Sequence, residues 1–184
     1  MKKAVHAFLV AAGLDPTGDA NLAQTPERVS EAWSSEFLDG YQRTAAEALG
    51  ELYPAPPGSS GEELVVVTGL RFRSTCPHHL LPVEGRAHIA YVPRKFVVGF
   101  GRLSALVQVY AHRLILQEDL AREVALALAQ VLKSPGTACL IEARQACLRL
   151  RGDEQDDAIT HSEAYEGVLR RDKELRRELW ARIP

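Results

Sequence analysis

The sequence predicts an α+β protein built around an antiparallel sheet, and three observations support this fold class. Helical periodicity dominates roughly the first fifty residues, which carry almost no strand-like pattern. A stretch rich in Pro, Gly and Ser, "YPAPPGSSGEE", then interrupts the chain. Beyond it, strand-like segments come in pairs that are separated by two helical segments. Paired strands favour an antiparallel sheet over the alternating pattern of a parallel one.

The N-terminal segment, residues 1–52, is predicted to be a helical arm. Its start, "MKKAVHAFLVAAGLDP", has the pattern of a short amphipathic helix. In the next segment Thr25 is a plausible N-cap and Pro26 a plausible first helical residue. Apolar residues then recur at four-residue spacing on one helical face: Val29, Trp33 and Phe37.

Residues 53–62 are predicted to be a linker or loop, and residues 63–184 the core with a C-terminal helix. The core opens with two strands, "ELVVVTGLRFRST" and "EGRAHIAYVP", in which alternate residues face opposite sides. "FVVGFGRLSALVQVYAHRL" passes from a strand into a helix, and "QEDLAREVALALAQVLKSPG" is a strong amphipathic helix. Two further strands, "TACLIEAR" and "QACLRLRG", and the charged helix "DKELRRELWARI" complete the predicted order.

Composition and charge exclude several classes of protein. A hydrophobic share of 46% with 25% charged residues is typical of a globular protein, and no apolar stretch approaches a membrane span. A net charge of −2 gives no general attraction to nucleic acid or to anionic lipid. The two N-terminal lysines and the apolar run resemble a signal peptide, but His6 interrupts the run. We therefore expect a cytoplasmic protein without nucleic-acid or membrane partners.

The segment "STCPHHLLPVEG" carries the clearest chemical signal. Cys76 and His79 stand in C-x-x-H spacing at the end of a predicted strand, and Cys147 offers a third soft ligand. Two thiolates and one imidazole form a three-ligand Zn²⁺ site that keeps a fourth position for water, which zinc would acidify toward neutrality. His78 would then be free for proton transfer. The spacing alone is also compatible with cysteines packed in the core, as expected for Cys139 in "TACLIEA".

Several separated motifs resemble the GTP cyclohydrolase I family in that family's own order. They are "TPERVSEAWSSEFLDG", "STCPHHLLPVEGRAHIAYVP", "LVQVYAHRLILQEDL", "CLRLRG" and "EGVLRRDKELRRELW". The resemblance implies a T-fold: an antiparallel sheet with two helices on one face, in subunits that close into a toroidal homo-oligomer. A decamer, formed as a pair of pentamers with active sites at subunit interfaces, is the assembly that it implies.

The same resemblance implies a reaction and its residues. Enzymes of the family hydrolyse the imidazole ring of GTP at C8, release formate and close a pterin ring to give 7,8-dihydroneopterin triphosphate. Cys76, His79 and Cys147 match the zinc ligands, and His78 matches a catalytic histidine. The remaining matches concern substrate binding: Gln117 and Glu118 for the guanine edge, Arg151 and Arg28 for phosphate, and Arg102 where the family usually has lysine.

The chain departs from the family pattern at positions that bear on the chemistry. Gln145 stands where the family has a second catalytic histidine, and glutamine cannot titrate. The phosphate site is also expected to have fewer positive charges than in the family. Each charge-assisted hydrogen bond that is lost would cost about 1.5–3 kcal/mol. The other departures are Glu31 for lysine, Ala105 for arginine, Gly101 for serine and Pro77 for glutamate, and His161 is a possible replacement imidazole.

These matches make a zinc-dependent purine hydrolase, most simply a GTP cyclohydrolase I, the leading hypothesis. One variant of it stops at the ring-opened formamidopyrimidine or uses a purine substrate with fewer phosphates. A different class of function is a catalytically silent paralogue that binds a pterin or purine. Folate, tetrahydrobiopterin and deazapurine routes all use this family, and the sequence does not choose among them.

Overall fold

The computed structural model describes residues 1–57, 63–151 and 157–183. The chain forms two compact units, Met1–Asp39 and Gly40–Pro184. Half of the predicted linker, residues 58–62, lies outside the described residues. The division predicted at residues 52 and 62 stays a prediction.

The Met1–Asp39 unit is helical, as its periodicity predicts. Helix α1 spans Lys2–Ala11, and helix α2 spans Thr25–Ala32 and continues into a π-helical turn at Trp33–Phe37. Helix α2 begins at Thr25 itself, with Gln24 as the N-cap, so the predicted cap is wrong by one residue. The predicted apolar face is real, because the rings of Trp33 and Phe37 lie 5.8 Å apart between centroids.

The Gly40–Pro184 unit contains the sheets and most of the helices. Its helices are α3 Ala45–Leu49, α4 Phe100–Ala111, α5 Gln117–Leu132, α6 Ala146–Arg149, α7 Val168–Arg171 and α8 Lys173–Ala181. Its strands are β1 Leu52–Pro54, β2 Val65–Thr75, β3 Pro82–Tyr91, β4 Phe96–Val98, β5 Gly136–Gln145 and β6 Thr160–Gly167. No described helix combines the length and the apolar character that a membrane span requires.

The main sheet is antiparallel and has the strand order β2-β3-β5-β6. Helices α4 and α5 cover one face, where Leu103, Leu106, Val124 and Leu128 are fully buried in the main core. The other face carries a smaller apolar cluster beneath α7 and α8. The α+β class and the T-fold arrangement of two helices on one sheet face are therefore confirmed, whereas closure into a ring stays a prediction.

One predicted strand is wrong. Within "QACLRLRG", Ala146–Arg149 forms the single helical turn α6, and the last described strand is β6, in a segment that the sequence did not identify as a strand. The pairing of β3 with β5 explains the difference. Gln145 pairs with Val83, close to the start of β3, so the residues after Gln145 have almost no β3 residues to pair with. The residues of β6 are largely polar, and their alternation is too weak to predict a strand.

The register of the strands brings residues that are distant in the chain to the same end of the sheet. Thr75, the last residue of β2, pairs with Pro82, the first residue of β3. Its neighbour Val83 pairs with Gln145, the last residue of β5. Strands β2 and β5 both finish at this end of the sheet. The residues that follow them, including Cys76 and Cys147, therefore lie close together.

Gly85 is required by close packing in the centre of the sheet. A Cβ at this position would lie 2.3 Å from the Glu142 carbonyl oxygen and 2.8 Å from the Phe72 ring. We expect Gly85→Ala to lower the free energy of unfolding by about 1–3 kcal/mol, measured by urea denaturation. Gly101→Ala is the matched control, because nothing lies within 4 Å of that Cβ and α4 gains helix propensity. Equal stability of the two variants would contradict this explanation.

Candidate active site

The loop after β2 holds two candidate metal ligands in a tight turn. The Cys76 amide donates to the Leu81 carbonyl at 3.0 Å, and the Leu80 amide donates to the Cys76 carbonyl at 2.9 Å. Leu80 closes the turn in the left-handed region, with φ of 55°. The turn separates the two neighbouring imidazoles, because the ring planes of His78 and His79 are 77° apart and their centroids 6.2 Å apart. One ring can therefore bind a metal while the other faces elsewhere.

Cys76, His79 and Cys147 form a compact cluster. Their ligand atoms all lie within 4.8 Å of one another. The Cys76 Sγ is 3.9 Å from the His79 Nδ1. In the described part of the chain, no fourth His, Cys, Asp or Glu joins this group. The structure thus brings together the three residues that the sequence suggested as ligands.

The donor set and its spacing fit a tetrahedral metal ion. Sulfur at about 2.3 Å and nitrogen at about 2.1 Å from zinc place neighbouring donors roughly 3.5–3.8 Å apart. Burial raises the pKa of the Cys147 thiol, and the adjacent Cys76 thiol raises it further. A cation between the two sulfurs would reverse this effect by stabilising both thiolates. These three donors can therefore hold a metal ion, and the described residues add no fourth donor of the same kind to them.

A cavity of about 310 Å³ opens beside the cluster. The side chains of His78, Glu118 and Gln145 are among its polar lining, and Cys76 and Cys147 line it as well. A larger cavity of about 820 Å³ lies elsewhere in the same unit and contains neither thiol nor His79. We assign the candidate active site to the smaller cavity, because both thiols of the cluster and the His78 imidazole line it.

Gln117 is held by a network of hydrogen bonds within the protein. This residue is 8% exposed, and its Nε2 donates to the carbonyls of Thr160 and Ile141 at 3.1 and 3.4 Å. Its Oε1 accepts from the Gln145 Nε2 at 2.7 Å and from the Thr160 hydroxyl at 2.6 Å. Both ends of the Gln117 amide are thus occupied, and the same bonds fix the orientation of Gln145.

The other predicted substrate residues have different surroundings. Glu118 is exposed in the first turn of α5 and lines the cavity directly. Arg151 is exposed beyond α6, near enough that its charge acts on the Cys147 thiol. Arg102 is exposed in the first turn of α4, and the cavity lining described here does not include it. Arg28 belongs to the Met1–Asp39 unit, where its guanidinium donates to the Gln24 side chain at 2.8 Å.

Two lining residues, Ser74 and Thr160, did not emerge from the sequence. Ser74 is 6% exposed and its hydroxyl has no hydrogen-bond partner within the described ranges. Thr160 reaches the site from β6, a strand that the sequence did not predict. His161, the proposed replacement imidazole, points away from this site, because it pairs with Glu142 on the opposite face of the sheet.

Comparison with known proteins gives the family. The GTP cyclohydrolase I profile matches residues 1–184. A GTP cyclohydrolase 1 of Campylobacter concisus is 37% identical over 99% of this chain and 93% of its own. A GTP cyclohydrolase 1 of Deinococcus radiodurans is 36% identical over 96% of this chain and 79% of its own. One of Campylobacter jejuni subsp. doylei is 38% identical over 97% and 92%. With a match across its whole length and a Cys-His-Cys cluster beside a cavity, the chain belongs to the GTP cyclohydrolase I family.

Proposed function

We propose that this chain is a zinc-dependent GTP cyclohydrolase I, which opens the guanine imidazole ring of GTP at C8 and releases formate. The observation that carries the proposal is the convergence of Cys76, His79 and Cys147 beside a cavity with a free imidazole. The names of the relatives, GTP cyclohydrolase 1, support GTP as the substrate. When bound, zinc supplies Lewis-acid chemistry that brings the pKa of water close to neutrality.

The residues around the cavity have separable roles in this proposal. The Glu118 carboxylate accepts hydrogen bonds from guanine N1–H and from the exocyclic amine, which orients the purine. His78 lines the cavity outside the ligand cluster, so its imidazole is available to exchange a proton with the reacting ring. Ser74 offers a buried hydroxyl that no described residue hydrogen-bonds, and we assign it to a substrate hydrogen bond. Arg151, Arg102 and Arg28 are the proposed cations for the phosphates.

Gln117 and Gln145 act as a pair in this proposal. Since the protein occupies the Gln117 amide, we assign Gln117 to positioning Gln145 rather than to direct contact with guanine. Gln145 lines the cavity and can offer its carbonyl oxygen, but it cannot transfer a proton. This favours a second candidate function, in which the reaction stops at the ring-opened formamidopyrimidine.

Assembly into a closed ring is also proposed. Strands β2 and β6 are the two edge strands of the main sheet as far as the structure describes it, so each has one side without a partner strand. Pairing of β2 with β6 of a neighbouring copy would continue the antiparallel sheet around a ring. Native mass spectrometry should then give a homo-oligomer, and a decamer formed from a pair of pentamers is expected.

One set of assays tests the proposed reaction. Zinc-loaded protein is incubated with GTP, GMP and guanosine, and formate, ring-opened formamide and pterin fluorescence after oxidation are measured. Formate with pterin fluorescence would support the complete reaction, and the ring-opened product alone would support the truncated one. Preference for GMP or guanosine would indicate a substrate with fewer phosphates. No turnover of any purine would contradict the proposal and favour a binding protein.

Thr160→Val removes the 2.6 Å hydrogen bond to the Gln117 oxygen while keeping the volume of the side chain. We expect about a tenfold loss of kcat/KM, since Gln117 and Gln145 lose one of their fixed partners. The control is Thr160→Ser, which keeps the hydroxyl and should keep activity. Equal loss in both variants would assign Thr160 to packing instead. Steady-state kinetics of both variants and their thermal unfolding provide the measurements.

A further inference from the structure

The sheet face opposite α4 and α5 carries an ordered row of charged and titratable residues. Register pairs place Arg71, Arg86, Glu142 and His161 side by side across β2, β3, β5 and β6. Directly paired residues share one face of a sheet, and His88 joins them two positions along β3 from Arg86. The candidate active site lies toward the helices on the other face, so the proposed function makes no use of this row.

His88 is a buried imidazole whose ring nitrogens are unsatisfied within the described part of the chain. It is 3% exposed, and neither Nδ1 nor Nε2 has a hydrogen bond among the described residues. Burial lowers the pKa of this imidazole, and the Glu142 carboxylate opposes that effect. The neutral ring therefore offers one donor and one acceptor to a cavity of about 250 Å³ that it helps to line. A buried polar group of this kind calls for a partner, and the described residues do not supply one.

The C-terminal helix gives this cavity a fixed aromatic wall. Trp180 lines it, and its indole N–H donates to the Tyr165 hydroxyl at 3.0 Å, while that hydroxyl donates to Glu163 at 2.7 Å. Leu179, beside Trp180, is fully buried in the smaller apolar cluster, which anchors α8. Trp180 as a residue is still 43% exposed, which leaves surface on this wall for a planar ligand.

A concentration of arginines adjoins the His88 cavity. Arg71, Arg86 and Arg144 line the cavity of about 820 Å³, and Glu142 lines both cavities. Arg71 stands directly opposite Arg86, and like charges in that position repel each other. A bound anion would relieve this repulsion, and arginine pairs suit phosphate because they can donate in a bidentate manner.

We propose that this face is a second ligand site, for a purine nucleotide whose base lies in the His88 cavity and whose phosphate contacts the arginines. The planar base fits against Trp180, its N–H groups donate to Glu142, and its ring nitrogens complement the His88 imidazole. A metal ion alone fits less well. Within the described residues, the donors gathered closely enough to share one ion are those of Cys76, His79 and Cys147. The site stands on its own observations, independently of the proposed function.

Trp180 is also the reporter that tests the site. The chain has two tryptophans, so Trp33→Phe leaves Trp180 as the sole source of indole fluorescence. We expect GMP to quench this fluorescence in a saturable manner, guanosine to bind at least about tenfold more weakly, and inorganic phosphate to cause no quenching. His88→Leu and Arg86→Gln, made in the Trp33→Phe protein, should each weaken GMP binding about tenfold.

Glu118→Gln in the same background is the control for binding at the other face. It should leave the GMP titration of Trp180 unchanged. Absence of saturable quenching in folded Trp33→Phe protein would overturn the proposal, and so would loss of quenching in Glu118→Gln. Equal affinity for guanosine and GMP would contradict the proposed contact between the phosphate and the arginines. Arg86 is exposed, so Arg86→Gln keeps the test decisive should His88→Leu fail to fold, as judged by circular dichroism.

Discussion

Cys147→Ala is expected to abolish zinc binding and to lower formate release from GTP by at least about a thousandfold. Among the described residues three donors gather at this site, and removal of one sulfur leaves Cys76 and His79 of that group to hold the ion. Loss of the metal removes several kcal/mol of transition-state stabilisation, which corresponds to about three powers of ten in rate. Metal content by elemental analysis and formate release measured on the same preparation test both parts.

Cys139→Ala is the matched control, because it makes the same chemical change at a thiol with a different environment. Cys139 is fully buried in β5, and burial raises its pKa to about 12, so it stays a neutral core thiol. We expect it to keep zinc and activity and to lose about 1 kcal/mol of stability. A Cys147→Ala protein that retains stoichiometric zinc, or a Cys139→Ala protein that loses it, would refute the assignment of the ligands.

The convergence of Cys76, His79 and Cys147 could be predicted from the sequence, because two of the residues are close in the chain and all three are residue types that bind metals. C-x-x-H spacing at a strand end already places Cys76 and His79 together, and a turn of the observed kind joins them. Cys147 required the resemblance as well, since only the pairing of β3 with β2 and β5 brings it back to Cys76. The α+β class followed from periodicity, which the helix-covered sheet confirms.

The hydrogen-bond network around Gln117 could not be predicted in the same way. It joins the start of α5, the end of β5 and the start of β6, which meet only in the folded chain. Strand β6 itself gives a weak signal, because its residues are mostly polar, and its apolar residues Ala164 and Tyr165 pack on opposite faces against different clusters. The burial of His88 could not be predicted either, because the local sequence does not show that this part of the sheet face opposite α4 and α5 is covered.

Gln145→His is expected to raise pterin formation relative to the ring-opened intermediate by about a hundredfold, the lower range for an added general acid or base. The position suits an imidazole, because Gln145 already donates to the Gln117 oxygen at 2.7 Å and faces the cavity. A histidine N–H could donate to that oxygen and leave the second ring nitrogen toward the substrate. The existing network would then orient the new catalytic group.

The pH dependence separates proton transfer from a change in shape. A working histidine should make the later steps depend on pH near its ordinary pKa of about 6.5, whereas Gln145 contributes no titration in that range. Gln145→Asn, which keeps an amide but shortens it, should not gain pterin formation. If Gln145→His leaves the ratio of pterin to ring-opened product unchanged while zinc remains bound, then proton transfer at this position does not limit the reaction. The limiting step would then lie with the groups that hold the substrate, Glu118 and the arginines.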